Sequence, residues 1–312
     1  MQQAEGMTGV SILVEQVSKS YTGEKALGDI SFGVKKGEVF GLIGPDGAGK
    51  TTLFRILASL LLPDTGRASV EGFDTVKQYR ELRRIVGYMP GKFSLYHDLT
   101  VEENLKFFAT IFGTNIKEQY HLVRDIYGAL EPFRDRQAGR LSGGMKQKLA
   151  LSCALIHKPR VLLLDEPTTG VDAVSRVEFW EMLHRLKAEG ITILVSTPYM
   201  DEAGKCDRVG LIQQGHILDI SRPSEITGRY PYRLYAVKSD NMYGLAGDLR
   251  ELPSARFVFR FGDSVHVSFP EAIDRQEVSD MLRRKGHDQV EIVDTEPAVE
   301  DSFMILMGDD GK

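Results

Sequence analysis

The strongest constraint on this chain is the run Val39-Phe40-Gly41-Leu42-Ile43, followed at once by Gly44-Pro45-Asp46-Gly47-Ala48-Gly49-Lys50-Thr51-Thr52. A wholly apolar strand, a glycine-rich loop and then a helix, expected over Thr51 to Leu62, leave few folds open. Such a strand is buried on both faces, as in a parallel sheet covered by helices. The loop must curl so that its N–H groups point inward, which Gly44, Gly47 and Gly49 permit. The helix behind it adds the positive end of its dipole. A loop of this kind cradles phosphates. Lys50 would reach the outer phosphates and the Thr51 hydroxyl would ligate Mg²⁺, with Asp46, Ala48 and Thr52 in the same turn. The alternative is a chance glycine turn, against which the strand before and the helix after both argue.

A second apolar strand, Val161 to Leu164, ends in Asp165-Glu166. Asp165 is placed to bind Mg²⁺ directly or through water. Glu166, the next residue of an extended chain, would point to the opposite side and orient an attacking water. An acidic pair at a strand end could instead merely cap a helix.

Composition narrows the setting. The 312 residues are enough for two domains, and the charged content of 27% is ordinary for a globular chain. A net charge of −5 gives no electrostatic footprint for nucleic acid. Cys153 and Cys206 have neither metal nor disulfide-framework spacing, and a reducing cytosol suits them. The longest apolar run, around Ile56 to Leu62, is interrupted by Ser59 and stopped by Pro63, well short of the roughly 18 residues of a membrane span. Met1 to Gly6 lacks the basic stretch and apolar core of a secretion signal. A soluble chain is expected, reaching a membrane only through a partner.

The element order is that of an α/β core. Residues 11–21 and 26–34 alternate as antiparallel strands around Thr22-Gly23. Residues about 92–158 are helix-rich, with Thr100 as an N-cap. A helix over 173–189 and a strand over 191–196 follow. The second domain is expected over 230–312, after a first over 1–229. Its pattern is β-α-β-β-α-β, an α+β ferredoxin-like order, with a two-residue hairpin at Gly262-Asp263. Phe257, Phe259 and Phe261 fall on one strand face, and core packing is preferred there to a ligand surface.

Between the two phosphate-site motifs lies Leu141-Ser142-Gly143-Gly144-Met145-Lys146-Gln147. With it, the chain resembles the nucleotide-binding subunit of an ABC transporter over about residues 11–225. The resemblance implies a P-loop NTPase core of mixed sheet, helical subdomain and antiparallel β subdomain. It also implies ATP and Mg²⁺ as ligands, and catalysis by Lys50 and Glu166. Ser142, Gly143 and Gly144 would offer donors to the γ-phosphate held by a second subunit. Tyr21 resembles the aromatic residue that stacks on adenine, although it could be only a strand aromatic. Gly170-Val171-Asp172 resembles the dimer-facing D-loop. The end Glu296 to Phe303 is similar to the C-terminal extension of bacterial multidrug-type exporter ATPases. In that class the membrane permease is a separate polypeptide, which places the subunit in the cytoplasm against the inner membrane.

Two positions depart from the family. The family expects Gln at Gly91, reaching Mg²⁺ and water, and His at Pro198, holding the γ-phosphate and the catalytic glutamate together. Glycine has no side chain, and proline offers no donor. Asp46 stands where Asn is usual. Losing one positioned donor costs about 10²–10³ in rate, unless Lys92 or Tyr199 substitutes. The phosphate-loop side would then be impaired while the signature stays whole. A heterodimer with a better-equipped ATPase domain is therefore preferred to a homodimer.

Three readings compete. One is an exporter ATPase subunit, coupled through residues 90–98, where Phe93, Leu95 and Tyr96 are either docking surface or core. Another is a non-hydrolysing regulatory module that completes a partner's site. The third, a DNA-repair or translation protein, ranks last. The interval of about ninety residues between loop and signature lacks sustained heptads, and only one cassette is present.

Overall fold

The computed structural model describes residues 9–92 and 95–309, and Phe93 of the expected coupling segment lies outside them. In chain order the elements begin with β1 (Val10–Tyr21), β2 (Glu24–Lys35), β3 (Val39–Ile43), α1 (Lys50–Leu57), β4 (Thr65–Val70), β5 (Phe73–Asp74), α2 (Tyr79–Ile85) and β6 (Val86–Met89). They continue with α3 (Val101–Ile111), α4 (Ile116–Tyr127), α5 (Gly143–Leu155), β7 (Val161–Asp165), α6 (Ala173–Ala188), β8 (Thr192–Thr197), β9 (Arg208–Gln213) and β10 (His216–Ser221). The last are α7 (Pro223–Gly228), β11 (Arg233–Lys238), α8 (Met242–Arg250), β12 (Phe257–Phe261), β13 (Ser264–Phe269), α9 (Arg275–Arg284), β14 (Glu291–Asp294) and α10 (Val299–Asp309). The chain forms two compact units that divide between Pro223 and Ser224, ahead of the expected boundary at 230.

The first unit is built on a six-stranded mixed sheet in the order β10-β9-β3-β8-β7-β6. β3, β6, β7, β8 and β9 pair in parallel, and β10 closes the edge antiparallel to β9. Every residue of β3, β7 and β8 is buried, as a sheet covered on both faces requires. A second, antiparallel sheet runs β2-β1-β4-β5. Ile12, Phe32, Phe40, Leu53, Phe54 and Leu163 join this sheet, α1 and the mixed sheet in one core. Helices α3, α4 and α5 form the expected helical segment. Thr100 opens α3 with a full capping box: its hydroxyl accepts from Glu103 N–H at 3.2 Å, and its own N–H donates to the Glu103 carboxylate at 2.8 Å.

Helix α1 is shorter than its sequence suggested, stopping at Leu57 rather than Leu62. Ser59 takes the left-handed conformation (φ 57°). Leu60 N–H then donates back to Arg55 O at 2.8 Å and Ser59 N–H to Ile56 O at 3.0 Å. That is a Schellman stop, with serine in the place glycine commonly takes. The Arg83 guanidinium holds it, donating to Ser59 Oγ and Ser59 O.

The second unit has the element order β11-α8-β12-β13-α9-β14, followed by α10. Its all-antiparallel sheet runs β12-β13-β11-β14. This is the split arrangement compatible with a ferredoxin-like fold. The preferred core reading of the phenylalanine stripe needs correction. The two-residue turn pairs Phe261 with Ser264, Phe259 with His266 and Phe257 with Ser268. Odd positions of β12 therefore share a face with even positions of β13. The core under α8 and α9 takes Val258, Val265, Val267 and Phe269, while the three phenylalanines stay half-buried on the opposite face.

Candidate functional site

The loop between β3 and α1 has the shape its glycines predict. Gly47 and Gly49 have φ of 80° and 101°, a region costly for other residues. A Cβ on Gly44 would lie 2.0 Å from Ile212 O, and one on Gly49 2.4 Å from Ala26 O. Strand β9 and the start of β2 thus press the loop into place. Gly49 is the N-cap of α1 and offers no side chain there, so the first N–H groups of the helix carry no capping bond from it. Thr51 and Thr52, in the first turn, are half-buried, and Asp46 stands exposed at the tip of the loop.

Lys50 is only 3% exposed. Its ammonium donates to Gly44 O at 2.8 Å and Pro45 O at 3.0 Å, and lies 3.1 Å from Glu166 Oε1. Three acceptors match its three donors. Glu166 itself is not the extended residue expected. It follows the end of β7 with φ 49°, so its direction comes from a left-handed turn rather than from strand alternation.

Asp165, the last residue of β7, is 1% exposed. Its Oδ1 accepts from the Ser196 hydroxyl at 2.7 Å. Its Oδ2 is buried and has no hydrogen-bond partner among the described residues. A carboxylate oxygen held bare in this way is costly unless a cation completes it. Among the described residues, no three His, Cys, Asp or Glu side chains gather as a metal cluster. Mg²⁺ needs no such cluster, since it takes one or two protein oxygens together with substrate phosphates and waters. Asp165 and Thr51 fit that donor set.

The two departures sit beside this centre. A Cβ on Gly91 would lie 3.0 Å from Asp165 O and 3.6 Å from Glu166 Cβ. The position borders both acidic residues, and a larger residue there needs its neighbours to give by a few tenths of an ångström. Pro198 follows β8. The turn is closed around it by Tyr199 N–H donating to Thr197 Oγ1 at 3.0 Å. The Tyr199 ring is engaged by α6, with the Arg176 guanidinium 4.7 Å from its centre. Arg176 also holds Asp201 at 2.8 Å. Lys92 is exposed.

Ser142 is the N-cap of α5, and its hydroxyl accepts from Met145 N–H at 3.4 Å. The neighbours of Gly143 and Gly144 belong to the next turn of chain. Added Cβ atoms would lie 3.1 Å from Gly170 O and 2.6 Å from Ser175 Oγ. Asp172 caps α6 by accepting from Ser175 N–H at 3.0 Å. Signature and D-loop therefore form one tight corner, in which a larger residue needs its neighbours to shift. Tyr21 ends β1 at 42% exposure. The structure thus gathers Lys50, Asp165 and Glu166 in one place and gives Ser142, Gly143 and Gly144 a separate setting.

Ser196, Thr168, Glu202 and Arg176 were missed in the sequence. Only the fold shows the Ser196 hydroxyl on Asp165, or the Thr168 hydroxyl donating to buried Glu202 at 3.1 Å.

Residues 27–169 match the family model described as ABC transporter. The Nod factor export ATP-binding protein I of Rhizobium etli is 34% identical, over 97% of this chain and 95% of its own length. The chain belongs to the ABC transporter ATP-binding family. The probable multidrug ABC transporter ATP-binding protein YbhF of Escherichia coli is 40% identical over 98% of this chain. This chain spans about half of that relative, 53% of its length. A solved ATP-binding subunit of an ABC transporter superposes with a TM-score of 0.64 at 29% identity, covering 70% of this chain and 93% of its own. The dimeric bacterial cassette MJ0796 superposes with a TM-score of 0.62 at 25% identity, covering 68% of this chain and 98% of its own. Members of this ATPase family bind ATP, and the glycine loop, Lys50 and the acidic strand end fall within the matched residues.

Proposed function

We propose that this chain is the ATP-binding subunit of an export system. It binds Mg-ATP at residues 44–52, hydrolyses it slowly there, and lends its signature to the site of a second ATPase domain. The observation that carries this reading is the asymmetry of the two half-sites. The signature corner is fully built, while Gly91 and Pro198 leave Glu166 without a side-chain donor from either position. Export is supported by the relatives named for multidrug and Nod factor export. Pairing of two cassettes is supported by the dimeric MJ0796 structure.

The residues have distinct roles in this reading. The 44–49 backbone and Lys50 bind the phosphates, and Thr51 with Asp165 hold Mg²⁺. The metal neutralises charge that builds on the phosphates during transfer. Glu166 orients the attacking water, and Tyr21 stacks on adenine. Ser142, Gly143 and Gly144 face the γ-phosphate of the partner's nucleotide. Drive to a separate permease runs through an apolar cleft of about 460 Å³, lined among others by Met89, Pro90, Leu95, Phe108, Phe112 and His157. Leu95 is buried there and Tyr96 is half-exposed at 50%, with its ring edge-on to Phe107. Among the described residues no helix is long and apolar enough to cross a membrane, so the subunit would sit on the cytoplasmic face through that permease. The lack of a side-chain donor at 91 and 198 also favours the regulatory, non-hydrolysing reading.

Steady-state ATP turnover of the pure protein tests the proposal. The native chain should be slow, and the Gly91→Gln, Pro198→His double variant should gain about 10²-fold or more. A brisk, cooperative native rate that the variant does not improve would rule the proposal out.

A further inference from the structure

The side chain that bonds to both acidic residues is Ser196, on β8. It is fully buried, and β8 lies beside β7 with Asp165 opposite Ser196. Its hydroxyl donates to Asp165 Oδ1 at 2.7 Å and accepts from Glu166 N–H at 2.9 Å. The same N–H also reaches Ser196 O at 3.1 Å. One hydroxyl proton and one lone pair are thus used on adjacent residues.

Each bond has a separate consequence. Donation to Oδ1 fixes the rotation of the Asp165 carboxylate, because the buried carboxylate has no other hydrogen-bond partner among the described residues. Oδ2 is left bare and aimed by that rotation. Acceptance from Glu166 N–H stabilises a left-handed backbone (φ 49°) at a residue that disfavours it. That turn brings the Glu166 carboxylate to Lys50 at 3.1 Å.

We propose that Ser196 is a positioning residue for the divalent cation. Through Asp165 it presents a single bare carboxylate oxygen, and through Glu166 it sets the direction of the second carboxylate. The role rests on the nucleotide site proposed above. It is weightier here than in a site with a glutamine at 91 and a histidine at 198, because no side chain at those positions shares the task. Without the Ser196 hydroxyl the Asp165 carboxylate rotates freely between two arrangements, and the cation loses a preset ligand.

Binding of a fluorescent ATP analogue, followed first in EDTA and then along a Mg²⁺ titration, separates this role from a structural one. Ser196→Ala should raise the half-saturating Mg²⁺ concentration at least fivefold, leave binding in EDTA within twofold of native, and unfold within a few degrees of it. Ser196→Thr, which keeps the hydroxyl, should restore the native Mg²⁺ dependence. An unchanged Mg²⁺ dependence in Ser196→Ala overturns the proposal. So does a parallel loss of binding in EDTA and Mg²⁺, which is what a merely structural serine would give. If Ser196→Ala does not fold, Ser196→Cys fills the same space with a weaker donor and must show an intermediate shift; native behaviour there also overturns it. Failure of the native protein to bind the analogue at all would instead remove the nucleotide-site reading.

Discussion

The ion pair of Lys50 and Glu166 sets two needs against each other. The ammonium is satisfied by Gly44 O, Pro45 O and Glu166 Oε1, so a phosphate oxygen that takes it must displace one of them. The carboxylate is the one able to swing away, since the other two are loop backbone. Displacing it costs binding energy, and it adds a negative charge near an anionic ligand. Glu166→Gln is therefore expected to tighten binding of a non-hydrolysable ATP analogue severalfold, measured by titration calorimetry. Weaker binding would mean that the pair helps to shape the loop rather than competes for Lys50. Glycine chemistry made this region legible in sequence: only glycines tolerate the φ values at 47 and 49 and the close approaches at 44 and 49. The direction of Glu166 was not legible. Strand alternation applies up to Asp165, and the left-handed turn after it depends on Ser196, thirty positions later in the chain.

Helices α3 and α5 meet strand β6 at His157, just past the end of α5. Its ring stacks on Phe112 at 3.8 Å between centres. Its Nε2 donates to Val86 O at 3.1 Å, while its Nδ1 is buried without a partner among the described residues. Burial pushes its pKa down to about 4, with the Val86 bond opposing. The folded chain thus holds a neutral imidazole that the unfolded chain protonates near 6.5. The unfolded state binds the extra proton between those two values, so stability should fall as pH drops from about 6.5 towards 4 and be fully present above 6.5. A shift of that size corresponds to on the order of 3 kcal/mol. Denaturant midpoints from pH 7 to 4.5 should show the slope, and His157→Gln, which keeps a donor for Val86 O, should flatten it. An equal slope in both proteins would assign it to other groups. Elements with strong local signals were readable from sequence: the capping box at Thr100, the apolar strands β3 and β7, and the two-residue turn of β12 and β13. The stop of α1 at Leu57 was not, because serine in a glycine's role is held there by Arg83 from α2. The phenylalanine stripe was misassigned because strand pairing parity, rather than hydrophobicity, decides which face it takes.

In the proposed reading, the ATPase chemistry is divided over two places in the chain. Lys50, Asp165 and Glu166 gather at the ends of β3 and β7, whereas Ser142, Gly143 and Gly144 pack into the corner with Gly170 and Ser175. A site that needs both halves is completed only by two cassettes facing one another. In the proposed reading, the departures at 91 and 198 weaken one half and leave the other whole. This follows from sequence and family resemblance together, since neither glycine nor proline signals a loss until something is expected in its place. Complementation tests the division most directly. The native chain is mixed with a Gly91→Gln, Pro198→His variant that also carries Ser142→Arg, and ATP turnover is measured for each alone and for the mixture. Each alone should be slow, the first for its loop side and the second for its signature. The mixture should turn over at least tenfold faster than the sum of the two, because a repaired loop side then meets a native signature. A mixture no faster than that sum, or a native chain already fast by itself, would contradict the account.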